Sequence, residues 1–133
     1  NVGPTGRGTF DYRAVEALGN MGEWMKYNNR SIYNCTQAPA EFEAPEHSLL
    51  TYNPVTKRLY IHLIDYPLTN FRLPGMKGKV KYAQFLHDAS EVLITAPYGH
   101  HMQGSIATEN DLNLRLPVIK PNVEIPVIEL FLE

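Results

Sequence analysis

The groups in this sequence that could do chemistry are five histidines, one cysteine and fourteen acidic side chains. Their spacing decides which chemistry is open. His47, His62 and His87 stand far apart, and none belongs to the H-E-x-x-H pattern that sets two imidazoles on one helical face around zinc. His100 and His101 are adjacent, and neighbours on a strand point to opposite faces. No metal site is expected. Cys35 is alone, which excludes an internal disulfide and a cysteine-based zinc site. In Asn34-Cys35-Thr36 no base stands beside it, so a buried, inert thiol is the expectation. Glycoside chemistry needs two carboxyl groups facing each other across a sugar. Asp65, Asp88 and Asp111 all lie at turn signals, where Asp commonly caps its own backbone. Gly3, Gly6 and Gly8 precede a helical pattern, but Gly8 is followed by Thr9-Phe10 rather than the Lys-Ser/Thr of a phosphate loop, so a plain turn is expected. These motifs give no catalytic residue and no cofactor.

Binding chemistry is better represented. Tyr98-Gly99-His100-His101-Met102 reads as an exposed loop, and Tyr98, His100 and His101 are the candidate sugar contacts. Tyr60, Phe85 and Phe131 are assigned to the core. Asn29-Arg30-Ser31 and Asn34-Cys35-Thr36 are both N-glycosylation triplets.

The elements that must position these groups fall into two kinds. Asn1 to Thr9 is a glycine- and proline-rich loop. Val15, Leu18, Gly22 and Met25 then recur at helical spacing, with Ala14, Met21 and Trp24 widening the stripe, which predicts a helix over 11–27. Thr9 or Asp11 is available to cap its start, and Asn28-Asn29 suits a left-handed stop. Gly19 and Gly22 each cost about 1 kcal/mol against Ala and suggest another backbone packed closely there. The broad apolar face has no second helix to pack on, so its natural partner is expected upstream. Residues 34–47 read as a linker or irregular edge.

After that, short β-type runs alternate with turns: 48–52, 58–64, 71–73, 79–86, 91–95, 111–116 and 127–132. Seven or eight such strands indicate a mainly β protein, an antiparallel sandwich of Greek-key type. Leu59 to Ile64 is apolar on both faces and belongs at a sheet centre. Leu112, Leu114 and Leu116 alternate with Asn113 and Arg115, which predicts one wet face.

The chain has 133 residues, room for one domain or one domain and an appendage. Its 44% hydrophobic and 20% charged residues are those of a globular protein. Twelve basic against fourteen acidic residues leave a net charge of -2, with no surplus to neutralise phosphates, so nucleic acid is not an expected partner. No apolar run approaches the roughly 20 residues of a membrane span. The start, Asn1-Val2-Gly3-Pro4, has no Met and no leader pattern; a mature secreted protein and the C-terminal piece of a longer one both begin this way.

Asn1-Val2-Gly3-Pro4, Gly6 and Gly8, Val15, Leu18, Gly22-Glu23-Trp24-Met25, and Asn28 with Ser31-Ile32-Tyr33 together resemble the end of the catalytic domain in α-L-fucosidases of glycoside hydrolase family 29. The resemblance extends more weakly through 57–63 with Tyr66-Pro67, Leu73-Pro74-Gly75, 80–86, 112–117 and 127–132. The chain departs from the family pattern at Tyr27-Asn28-Asn29-Arg30, usually V-N-G-E, and at Tyr66, usually Trp. The resemblance implies that 1–33 is the last loop and last helix of a (β/α)8-like barrel and 34–133 a C-terminal β-sandwich domain. It implies a retaining hydrolase that removes terminal α-L-fucose from glycans, with both catalytic carboxylates upstream of this chain. The loop Asn1–Gly8, with Asn1, Pro4 and Thr5, would then line the active-site rim. The partners implied are the barrel of the same parent chain and a fucosylated glycan, and the compartment is periplasmic, secreted or lysosomal. Two other readings compete: a carbohydrate-binding module using the Tyr98–Met102 loop, and an interaction domain that self-associates through Val15, Leu18, Met21 and Met25.

Overall fold

A computed structural model describes residues 3–95 and 110–133. Its first element, α1, runs Tyr12–Asn28, and Asp11 caps it by accepting the Arg13 amide at 2.9 Å. Lys26 in the last turn suits the negative end of the helix dipole. The stop differs from the left-handed one expected. Asn29 stays right-handed (φ -62°, ψ -24°), and the chain tightens into a 3-10 turn over Asn29–Ser31. The reason is that the last carbonyls are satisfied without a left-handed residue. Asn28 Nδ2 donates to the Trp24 carbonyl at 3.0 Å, and Ser31 Oγ donates to the Asn28 carbonyl at 2.9 Å. The amides of Ile32 and Tyr33 both reach the Asn29 carbonyl, and the left-handed residue comes later, at Asn34 (φ 62°).

Eight strands follow among the described residues: β1 Thr36–Gln37, β2 Ser48–Asn53, β3 Arg58–Leu63, β4 Asn70–Leu73, β5 Val80–Phe85, β6 Leu93–Thr95, β7 Leu112–Arg115 and β8 Val127–Leu132. They form two antiparallel sheets, ordered β1-β2-β3-β8-β5 and β4-β7-β6. The fold is the mainly β sandwich with a leading helix that the strand spacing predicts. Strand β1 is the one piece of regular structure inside the segment read as a linker. The chain passes from one sheet to the other at β3–β4, β4–β5, β5–β6 and β7–β8, which inserts β8 between β3 and β5.

Alternation explains the core. Leu59, Ile61 and Leu63 of β3 and Ile128, Leu130 and Leu132 of β8 meet Phe71, Leu73, Leu112 and Leu114 of the other sheet. β3 sits third of five, at the sheet centre as its two apolar faces required. A register shift between Val80 and Tyr82 inserts Lys81 as an extra residue, so Val80 and Ala83 both reach the core while Tyr82 faces out. At the β2–β3 turn, Asn53 Oδ1 accepts the amides of Val55 and Thr56 at 3.0 and 3.2 Å, and Lys57 takes the left-handed conformation that closes the hairpin.

Two expectations about side chains are corrected. Asn113 is buried, not wet: its Nδ2 donates to Thr95 Oγ1 at 2.7 Å and Asn70 Oδ1 at 3.2 Å, linking the three strands of the small sheet. Phe131 lies half-buried on the outer face, with the Arg58 guanidinium 3.8 Å from its ring centre and Tyr82 edge-on at 5.3 Å. Asp111 is a buried carboxylate that accepts the Gly75 amide at 3.2 Å and faces Arg72 at 3.5 Å. Among the described residues nothing lies within 4 Å of a Cβ added at Gly19 or Gly22, so the close backbone these glycines suggest is not supplied by that part of the chain.

Candidate functional site

The chemistry-bearing residues that the fold gathers lie on the outer face of the five-stranded sheet, beneath the segment that joins helix to sandwich. The antiparallel register places Thr51, Tyr60, Glu129 and Gln84 in one row, and Leu49, His62 and Val127 in the next. Residues 30–35 lie over these rows. Glu129 is only 2% exposed. It accepts from the Tyr60 hydroxyl at 3.0 Å and from Gln84 Nε2 at 2.7 Å, and the half-exposed Arg30 guanidinium stands 3.6 Å away. A buried carboxylate with two donors and a cation meets its desolvation cost locally. Burial, and secondarily the Glu129 charge, holds the Tyr60 phenol well above its ordinary pKa.

The neighbouring row is a second tie. Thr51 Oγ1 donates to the Ser31 carbonyl at 2.6 Å. His62 Nδ1 lies 3.0 Å from the Leu49 carbonyl, so that nitrogen carries a proton, and Nε2 lies 3.0 Å from Ser31 Oγ. Burial pulls the His62 pKa below its ordinary value, against a smaller upward pull from the Leu49 carbonyl. Trp24 closes the joint: its indole N–H donates to the Ile125 carbonyl at 2.9 Å, and its ring tilts over His62 at 6.3 Å. Cys35, half-buried rather than buried, donates from Sγ to the Arg30 carbonyl at 3.3 Å, and burial raises its pKa. Tyr60 and Cys35 are thus held protonated, in the states that pack rather than the states that react.

Two grooves flank Trp24. One, of about 610 Å³, is mostly apolar, with Met21, Met25, Leu49, Ile64 and Ile125 in its walls. It continues an open helix face on which Val15, Leu18 and Met21 are 54%, 41% and 62% exposed. The other, of about 410 Å³, has mixed walls that include Asn28, Tyr27 and His87.

Of the residues singled out from sequence as site candidates, the described ones, Pro4 and Thr5, are not brought into this layer. Pro4 and Thr5 are exposed, and the Thr5 carbonyl accepts the Gly8 amide at 2.9 Å, which closes the loop on itself. Asn1, Tyr98, His100 and His101 lie outside the described residues. Asp88 is a true turn cap, accepting the Ser90 amide at 2.9 Å, whereas the exposed Asp65 pairs with His47 at 3.3 Å. The sequence pattern assigns no site role to Glu129, Ser31 or Arg30, and offers His62 only as a metal ligand. The available signal was a single Glu inside the apolar run Val127–Leu132. Among the described residues, no group of three or more His, Cys, Asp or Glu is placed to hold a metal ion.

Solved structures match the entire fold. The chain is 32% identical to α-L-fucosidase isoenzyme 1 from Paenibacillus thiaminolyticus, with a TM-score of 0.83, over 100% of this chain and 30% of that one. A glycoside hydrolase family 29 α-L-fucosidase from Bacteroides thetaiotaomicron shares the fold at 22% identity and a TM-score of 0.79, over 100% of this chain and 27% of that one. A Thermotoga maritima α-fucosidase shares it at 16% identity and a TM-score of 0.71, over 98% of this chain and 29% of that one. No family model and no curated protein matches the sequence. The chain spans about 30% of the length of these enzymes, a coverage that fits their C-terminal part. With this identity to the Paenibacillus enzyme, and with a fold shared along its whole length, the chain belongs with the α-L-fucosidases of glycoside hydrolase family 29.

Proposed function

We propose that this chain is the accessory portion of an α-L-fucosidase: the final helix of its catalytic barrel, α1, followed by a sandwich that buttresses the barrel. The parent enzyme removes terminal α-L-fucose from glycans, and its catalytic carboxylates lie outside these residues. In this reading the Asn1–Gly8 loop, with Pro4 and Thr5, lines the rim of the fucose site. The observation that carries the proposal is the open apolar face of α1 with its adjoining groove of about 610 Å³. An apolar surface of that kind marks a contact with another folded element. The full-length match to under a third of a fucosidase supports the barrel as that element. The polar layer then has a mechanical role: Glu129, Tyr60, His62 and Trp24 fix the sandwich to the base of the helix.

The test is release of p-nitrophenol from its α-L-fucoside. This chain alone should release none, while a longer protein containing it should turn over. Replacing Leu18 and Met21 together by Asp in the longer protein should lower melting temperature and activity in step. Turnover by this chain alone, or indifference to the paired substitution, would sink the proposal. A dimer of the isolated chain that the same pair dissociates would instead favour self-association through α1.

A further inference from the structure

Four large apolar side chains are more exposed than any others described: Leu68 at 90%, Val55 at 89%, Ile119 at 83% and Val118 at 82%. All but Val55 lie in the two links that cross between the sheets at one end of the sandwich, 64–69 from β3 to β4 and 116–126 from β7 to β8. The links run side by side. The Leu116 amide donates to the Thr69 carbonyl at 2.7 Å, and the Tyr66 hydroxyl donates to the Pro117 carbonyl at 2.6 Å. Leu68 is next to the first of these bonds and Val118 next to the second. The opposite end is different in kind. There the hairpin 54–57, the link 74–79 and the end of the chain expose Lys57, Lys77, Lys79 and Glu133, with Val55 alone at the hairpin tip. Single exposed apolar residues are ordinary, but three in paired links at one end only mark a surface that meets another body.

Its position identifies that body. The same two links supply Ile64 and Ile125 to the apolar groove whose other wall is α1, with Met21 and Met25. Helix and sandwich end are thus two walls of one groove, joined at Trp24, and a body seated against α1 in that groove is brought against the sandwich end. The chain spans 30% of the length of the Paenibacillus enzyme, so more than two-thirds of such a protein is available to be that body. The links carry Asp65 and Glu124 against Lys120, an acidic balance that suits a protein surface and not an anionic lipid one. We infer that 66–68 and 117–119 form a second docking point for the catalytic barrel of the parent enzyme, on the sandwich itself and separate from the helix face. This rests on the barrel reading above and extends it. Held at two points, the sandwich cannot swing about the Trp24 joint.

The experiment is amide hydrogen exchange on this chain alone and on a longer protein that contains it. The amides of Leu68, Val118, Ile119 and Lys120 donate no hydrogen bond among the described residues, so they should exchange fast in the chain alone. In the longer protein they should exchange about tenfold more slowly. Leu68→Asp with Ile119→Asp should restore the fast rate there and leave the urea midpoint of the chain alone unchanged, since both positions are exposed. Fast exchange of these amides in the longer protein would overturn the inference. The barrel reading would survive that result if the Leu18 and Met21 pair still lowered melting temperature and activity, and would fall with it if that pair were indifferent too. Protection that the Leu68 and Ile119 pair leaves intact would also overturn the inference. So would slow exchange in the chain alone that is lost on dilution, which would give the surface to a second copy.

Discussion

Helix α1 and strand β8 both present apolar side chains, yet they meet opposite fates. Every residue of β8 but Phe131 is buried, because β3 and β5 flank it and the second sheet covers its inner face. Of α1 only Asn28 is buried, although Val15, Leu18, Met21 and Met25 form as regular a stripe. A strand in a sheet acquires neighbours through backbone hydrogen bonds and is covered as a by-product. A helix satisfies its own backbone and is buried only where a partner arrives. α1 is therefore anchored at its end, through Trp24, Asn28 and Ser31, and left open along most of its length.

The sharpest way to break that contrast is to truncate one leucine from each element. Leu130→Ala removes a side chain with no exposure from the centre of the core and should cost about 2–5 kcal/mol in urea unfolding. Leu18→Ala, on the open helix face, should stay within about 0.5 kcal/mol. Equal losses would mean that the helix face is covered in solution.

A smaller effect is expected where the two regions meet. Arg30 is the one cation within 4 Å of the Glu129 carboxylate among the described residues, but its side chain is 60% exposed. Arg30→Met should therefore destabilise by about 1–2 kcal/mol, below the roughly 3–5 of a fully buried pair, since water screens the cation. Tyr60 and Gln84 continue to satisfy the carboxylate. The double variant Arg30→Met/Glu129→Gln should cost less than the sum of the two single losses. Strict additivity of urea midpoints would show that the pair is not coupled.

The fold was more legible in the sequence than this joint. Helix and strand positions follow from periodicity and turn residues, which are local, and apart from β1 and the 3-10 turn the observed elements fall within a residue or two of where the pattern puts them. Polar residues on covered faces could not be read that way. Asn113 alternates with leucines just as a solvent-facing residue does, and only the positions of Asn70 and Thr95 on neighbouring strands reveal that it is paired. Glu129 and His62 likewise owe their burial to a segment some thirty or more residues away in sequence. Asn29 looked like a helix stop because no local rule announces that Asn28 and Ser31 will serve the last carbonyls. Phe131 looked like core because aromatic character is legible and strand register is not.

The last effect is a dependence on pH, and it isolates the His62 tie from the rest of the joint. In the folded state burial disfavours the imidazolium, so the folded pKa lies below the ordinary value of 6.5. Below pH 6.5 the unfolded chain binds a proton that the folded chain resists, and stability falls as pH falls through the window between the two pKa values. Above 6.5 the contribution is complete and flat. Protonation would not break the contacts in themselves: Nδ1 already donates to the Leu49 carbonyl, and an Nε2 proton would find Ser31 Oγ, which passes its own to the Asn28 carbonyl. The cost is desolvation, and it should persist in any variant that keeps the imidazole buried. Urea midpoints measured at pH 8 and pH 5 should therefore differ more for the parent chain than for His62→Gln, which keeps a polar side chain and cannot titrate. Because the carboxylates common to both chains cancel in that difference, an identical slope in the two would show that His62 is hydrated in solution. The helix would then be hinged, not fixed, to the sandwich.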